Sequence, residues 1–139
     1  MLSPYRLFIS LTLILYIALL SWFSVIPPGY FDNGSVYFKD ADKVVHFVIY
    51  SILSFLLFLL FIEIRPKSKQ KNAVYVFFLA SAYGLLMEIL QLVIRSVSRS
   101  FEAADIVANV LGALSGIALG LVFSPLIIRL TTVKKQPTE

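Results

Sequence analysis

Four long apolar runs alternate with short polar stretches along this chain. The runs lie near residues 6–26, 43–64, 72–94 and 104–129. Each is about as long as the roughly 20 apolar residues that an α-helix needs to cross a bilayer. The stretches between the runs leave little sequence for a soluble domain. The pattern therefore predicts an all-α, polytopic membrane protein, with four transmembrane helices in a single domain over residues 1–139.

Composition supports this interpretation and limits the chemistry. The chain is 59% hydrophobic and 14% charged, with a mean hydropathy of +0.88. The first run is long for the apolar part of a signal peptide, lacks an Ala-x-Ala cleavage site and ends in Pro27-Pro28-Gly29, so we predict a retained helix. The chain has no cysteine, which excludes disulfides, thiol chemistry and sulfur-ligated metals.

The basic residues predict the orientation of the helices. The net charge is +4, but the basic side chains occupy short loops and tails, which argues for a topology signal and against nucleic-acid binding. Four helices would place eight of the twelve basic residues on the side of both termini and the 65–71 loop, and four on the other side. The positive-inside rule then predicts cytoplasmic termini in the cell membrane, with the 27–42 and 95–103 loops outside.

Polar side chains gather near the predicted outer ends of three runs. They are Asp42, Lys43, His46, Glu88, Gln91, Arg99, Asp105 and Asn109. Several are three or four residues apart, so they share helix faces, and the deeper ones would lie roughly 5 to 10 Å below the outer boundary. A charged residue inside a span costs about 2.5 to 3.5 kcal/mol on insertion scales. We expect the three helices to surround an outward-opening polar pocket.

The order of these residues resembles that of the VanZ-like family of small bacterial membrane proteins. The pattern is Asp42-Lys43-x-x-His46-Phe47, Tyr50, Tyr83-Gly84, Glu88-x-x-Gln91 and Arg99-Ser100-Phe101-x-x-x-Asp105-x-x-x-Asn109-x-x-Gly112. It covers roughly residues 40–120, and Val97-Ser98 stands where family members often have Pro-Gly. The resemblance implies a four-helix membrane fold and a polar outer-leaflet site. The family is named for a protein that gives teicoplanin resistance, and broader comparisons place it among proteins suggested to modify lipid head groups.

Three residues are candidate catalytic groups: His46, Glu88 and Asp105. Histidine side chains titrate near neutral pH and can move protons, and Asp42, one turn away, could orient the ring of His46. Other interpretations stay open. Glu88 could be an interhelical polar contact, and Asp42 and Asp105 could cap helices.

Candidate substrate-binding residues are Asp42, Lys43, Gln91, Arg99 and Asn109. Arg99 could hold a phosphate through two hydrogen bonds, whereas Lys43 could either assist or reach out to the phosphates of lipids. Gln91 could hydrogen bond to Glu88. Two functions follow. The chain is either an enzyme that modifies phosphate-containing lipid head groups or lipid-linked envelope precursors, or a protein that binds such lipids or lipoglycopeptides without changing them.

Cofactors and partners are less determined. His46, Glu88 and Asp105 could ligate a hard divalent ion, but they form no fixed motif, so no metal is predicted and the cofactor is unassigned. A stripe of glycines at four-residue spacing, Gly112, Gly116 and Gly120, predicts close helix approach. The stripe would serve either packing inside the chain or association into a homo-oligomer.

Overall fold

Four helices make up the described part of the protein. The structure, a computed structural model, describes residues 3–25, 41–94 and 102–133, with side chains described as far as residue 127. The helices are α1 (Pro4–Val25), α2 (Ala41–Ile64), α3 (Lys69–Val93) and α4 (Ala103–Val133). Each contains a segment long and apolar enough to cross a membrane, with hydropathy of 1.9 to 2.6. The predicted all-α class with four membrane-spanning helices is confirmed.

The helices extend beyond the apolar runs that predicted them. α3 includes Lys69-Gln70-Lys71, and α4 continues past Pro125 to Val133. Proline lacks the backbone N–H that would bond to the carbonyl of Leu121, four residues earlier. Ser124 Oγ donates to that carbonyl instead, at 3.0 Å. This hydroxyl explains how the helix continues through the proline.

The turn between α2 and α3 is held by a buried amide. Asn72 is fully buried, and its Nδ2 donates to the carbonyl of Phe61 at 3.2 Å and to that of Arg65 at 3.0 Å. Phe61 lies in the last turn of α2 and Arg65 directly follows that helix. The same carbonyls also accept backbone N–H groups, from Arg65 at 2.7 Å and from Ser68 at 3.2 Å. A side chain of α3 therefore caps α2 and joins the two helices into an antiparallel hairpin.

The glycine stripe of α4 lies against α2. A Cβ at Gly116 would overlap the carbonyl oxygen of Ser51, and one at Gly120 would overlap the ring of Phe58. Ser51 Oγ also donates to the carbonyl of Gly112 at 3.0 Å. The glycines thus allow close contact of α2 and α4 within one chain. Association of two copies through this stripe stays a prediction, and it would have to compete with α2 for the same glycine faces.

α1 is joined to the other helices through hydroxyl groups. Tyr16 donates from its hydroxyl to the carbonyl of Ile49 on α2, at 2.9 Å. Ser21 and Tyr83 share a hydrogen bond of 2.7 Å between α1 and α3. In hydrocarbon, buried polar groups need such partners because no water can satisfy them. The bonds fix α1 against the surface formed by α2 and α3.

Candidate functional site

Three helices bring the predicted polar residues to one end of the bundle. The beginning of α2 supplies His46, the last turns of α3 supply Glu88, and the beginning of α4 supplies Asp105 and Asn109. Hydrogen bonds and ion pairs connect these helices there. Arg99 lies outside the described residues, so its predicted place in the site stays a prediction. The antiparallel order of the helices puts the remaining candidates together.

His46 is oriented from α4. Its Nδ1 lies 2.9 Å from Oδ1 of Asn109, and because an amide oxygen can only accept, Nδ1–H is the donor. The same nitrogen lies 3.7 Å from Oε1 of Glu88. The ring also stacks on Tyr50, with centroids 6.5 Å apart and planes 6° from parallel. The sequence suggested that Asp42 orients the ring of His46. In the structure Asn109 orients it, because the ring faces α4.

The polar side chains at this end of the bundle form one cluster, and its inner part is buried. The members of the cluster are Asp42, Lys43, His46, Glu88, Glu102, Asp105 and Asn109. Exposed fractions are 3% for Glu88, 8% for Asp105 and 2% for Asn109. Gly84 makes room for Asn109, since a Cβ at Gly84 would lie 3.1 Å from both Asn109 Nδ2 and Tyr50 Cε1. Burying two carboxyl groups and an amide is costly unless each finds compensating contacts. The burial separates this group from ordinary polar residues at a membrane surface.

Lys43 lies among carboxylates at the outer edge of the cluster. Its Nζ is 2.8 Å from Oδ2 of Asp42, 2.8 Å from Oε2 of Glu102 and 3.7 Å from Oδ1 of Asp105. In the structure the ammonium lies between acidic side chains, and its contact with phosphate stays a prediction. Its charge is therefore already balanced within the protein.

Sequence reasoning missed Glu102. This residue precedes the fourth apolar run, where it resembles an ordinary loop residue, and its carbonyl accepts from the backbone N–H of Asp105 at 3.0 Å. Its spacing of three residues from Asp105 was the signal that could have revealed it, because it continues the same helix face. Glu102 joins α4 to α2 through Lys43.

Gln91 faces α1. Its Nε2 donates to the carbonyl of Ser24 at 3.0 Å, near the end of that helix. The amide is 6% exposed, so the contact is buried. In the sequence this residue was expected beside Glu88; the structure shows it holding the end of α1 next to the cluster. The hydrogen bond between Ser21 and Tyr83 lies on the same side of the bundle and was also missed.

Two groups of side chains have the composition of a metal site. The inner group is His46, Glu88 and Asp105, and the outer group is Asp42, Glu102 and Asp105. In each group, one ligand atom from every residue lies within 4.8 Å of the others. The inner group also contains what proton transfer requires, an imidazole near a carboxylate.

Comparison with known proteins identifies a family for the chain. No curated protein and no solved structure matches the chain. The model of the VanZ/LLP1 family matches residues 5–124. That range includes all four helices up to the proline of α4 and every residue of the cluster. Because the match covers most of the 139 residues, the chain is a multi-pass membrane protein that belongs to the VanZ/LLP1 family.

Proposed function

We propose that this protein acts on phosphate-containing lipid head groups, or on lipid-linked precursors of the cell envelope. The observation that carries the proposal is the group of His46, Glu88 and Asp105, assembled from three membrane helices at one end of the bundle, in which Glu88 and Asp105 are buried. Ionisable residues inside membrane spans are rare and are usually functional. A structural bundle would not need an imidazole and two carboxyl groups at one place.

The chemistry follows from the pair formed by His46 and Glu88. Transfer at a phosphodiester needs a base that takes a proton from the attacking hydroxyl group and an acid that gives one to the leaving oxygen. Imidazole and carboxyl groups suit these roles, and Nδ1 of His46 lies 3.7 Å from Oε1 of Glu88, close enough for both side chains to act on one substrate. Asn109 is a positioning residue in this scheme because it holds the ring.

The proposal places the site at the outer leaflet. Eight basic residues on the side of the termini against four on the other side favour cytoplasmic termini. The cluster belongs to the opposite end, where α2 and α4 begin and α3 ends. It would then meet lipid head groups and envelope precursors at the outer face of the cytoplasmic membrane. The resemblance to VanZ-like proteins adds a link to teicoplanin resistance, the property for which the family is named.

The test is a comparison of envelope lipids by mass spectrometry. Cells would express the natural protein, the Glu88→Gln variant or the Glu63→Gln variant at matched membrane levels. Glu63 is the matched control, since it lies near the other end of α2 and accepts a hydrogen bond from Ser3 at 2.7 Å. We expect a head-group change with the natural protein and with Glu63→Gln, and none with Glu88→Gln.

The same experiment addresses the alternative, a protein that binds lipids or lipoglycopeptides without chemistry. Identical lipid profiles in all three strains, with the same lipid co-purifying with each form, would contradict an enzymatic function that depends on Glu88. That result would support lipid binding without chemistry. Teicoplanin susceptibility, measured in the same strains, reports whether either function affects resistance.

A further inference from the structure

The described residues at the site end of the bundle carry more acidic than basic groups. Four carboxyl groups gather there, those of Asp42, Glu88, Glu102 and Asp105, and Lys43 supplies the single ammonium. A cation bound among these described residues would lessen their repulsion of an anionic phosphate. The two groups with the composition of a metal site differ in whether they have room for a cation.

The outer group already has one. Lys43 Nζ lies within 2.8 Å of carboxylate oxygens of Asp42 and Glu102, and 3.7 Å from Asp105. An ammonium at the centre of three carboxylates occupies the position that an ion would take. Asp42 and Glu102 are also about half exposed, at 45% and 46% of their side chains, as in an ordinary surface ion-pair network. The outer group is therefore a lysine site.

The inner group differs in burial and in donor chemistry. Glu88 is 3% exposed and Asp105 is 8% exposed. Oδ1 of Asp105 lies 3.7 Å from Lys43 Nζ, beyond hydrogen-bond distance, and has no hydrogen-bond partner among the described residues. Around an ion with bonds of about 2.1 Å, neighbouring ligand atoms are about 3.0 Å apart and opposite ones about 4.2 Å. The 3.7 Å between His46 Nδ1 and Glu88 Oε1 falls in this range. One ligand atom from each of the three residues lies within 4.8 Å of the others, so small side-chain movements would bring all three around one ion.

We propose that His46, Glu88 and Asp105 together bind one divalent metal ion. A set of one imidazole and two carboxylates suits Mn²⁺ or Zn²⁺, because Mg²⁺ and Ca²⁺ favour oxygen ligands alone. The ion takes the place of the proton on Nδ1, so the Oδ1 of Asn109, 2.9 Å from that nitrogen, is left facing the metal.

Three protein ligands leave coordination positions open, as in catalytic metal sites. An open position beside Asn109 gives a phosphate oxygen a positive centre within an otherwise acidic cluster. This use of the ion rests on the proposed head-group function and replaces the acid–base roles of His46 and Glu88 in it, because both side chains become ligands. Binding of the ion to the three side chains does not depend on that function. The metal therefore also supplies the charge that Lys43, neutralised by its own carboxylates, does not provide to phosphate.

The experiment measures metal binding by the purified full chain without added lipid. Mn²⁺ and Zn²⁺ would be titrated calorimetrically into protein in detergent micelles, after chelator treatment and with a purification tag that contains no histidine. The variants are Glu88→Gln and Asp105→Asn at the inner group, Glu102→Gln at the outer group and Glu63→Gln at the far end. Circular dichroism checks that each variant retains its helices.

We expect one ion per chain in the natural protein, and the same in Glu63→Gln and Glu102→Gln. Glu88→Gln and Asp105→Asn should each weaken binding by at least about tenfold, since even the loss of residues that only support metal ligands has effects of that size. Binding lost in Glu102→Gln but retained in Glu88→Gln would overturn the proposal, as would the absence of stoichiometric binding by the natural protein.

A second measurement needs no variant. Because His46 is the only histidine, pulsed electron paramagnetic resonance of bound Mn²⁺ should detect an imidazole nitrogen that can come from this residue alone. A bound ion without that nitrogen signal would overturn the proposed ligand set. The metal measurements use no lipid, so the two proposals can fail separately. Ion binding with unchanged envelope lipids would contradict only the head-group function. A head-group change without ion binding would contradict only the metal site.

Discussion

His46 of α2 and Asn109 of α4 are 63 residues apart in the chain and 2.9 Å apart between Nδ1 and Oδ1. The contact joins the two helices at the site and selects one nitrogen of the ring as the hydrogen-bond donor. It also brings the imidazole beside Glu88, which α3 contributes. One hydrogen bond thus determines how the histidine faces the rest of the cluster.

This contact predicts the tautomer of the histidine. In metal-free protein, neutral His46 should carry its proton on Nδ1, because Oδ1 of Asn109 can only accept. Nitrogen NMR of ¹⁵N-histidine-labelled protein measures this directly, since the chain has one histidine. Asn109→Ala should shift the ring toward the Nε2–H form, whereas Asn109→Asp, which keeps an acceptor, should preserve the Nδ1–H form. A natural protein with its proton on Nε2 would contradict the assigned hydrogen bond.

The glycine stripe predicts a large effect from one methyl group. Gly116→Ala should destabilise the protein by about 1 to 3 kcal/mol, because the new Cβ would overlap the carbonyl of Ser51 and force α2 and α4 apart. Thermal unfolding in detergent micelles, followed by circular dichroism, gives the measurement. The control is Ala118→Val, which adds methyl groups at an exposed position of the same helix. Equal midpoints for Gly116→Ala and the natural protein would show that α4 does not approach α2 this closely.

The buried amide at the α2–α3 turn predicts a second loss of stability. Asn72→Leu removes the donor to the carbonyls of Phe61 and Arg65 and should cost about 1 to 3 kcal/mol. Asn72→Asp has nearly the same shape but offers no N–H group, so it should be at least as destabilising. Gln70→Ala, at an exposed position nearby, serves as the control in the same unfolding measurement. Unchanged stability in both Asn72 variants would show that the cap contributes little.

The proposed orientation can be tested because the chain has no cysteine of its own. Lys67→Cys and Ala103→Cys each introduce one thiol at an exposed position, on opposite ends of the bundle. A membrane-impermeant maleimide added to intact cells should label Ala103→Cys, near the cluster, and should label Lys67→Cys only after the cells are opened. The reverse pattern would place the site in the cytoplasm and contradict an action on outer-leaflet head groups.

Hydropathy alone predicted the four helices, because a membrane requires long apolar runs and the hydrogen bonds of an α-helix within each run. The same runs, read as antiparallel spans, placed His46, Glu88 and Asp105 at one end. Helix ends were less well predicted. Lys69 and Lys71 belong to the first turns of α3, although their charges placed them in a loop. Hydrophobicity indicates where the hydrocarbon part of the membrane ends, whereas the backbone hydrogen bonds of a helix can continue beyond that boundary.

Partners across helices were decided by the tertiary structure. Sequence spacing suggested that Asp42 orients His46, but the ring bonds to Asn109 and the carboxylate of Asp42 pairs with Lys43. Sequence spacing likewise did not decide whether Gly116 packs against another helix of the same chain or against a second copy, and the structure shows that it packs against α2. Periodicity determines which residues share one face of a helix and how deep they lie, because both are properties of a single helix. The neighbour of each helix and its rotation about its own axis depend on packing among all four, and these decided which atoms meet.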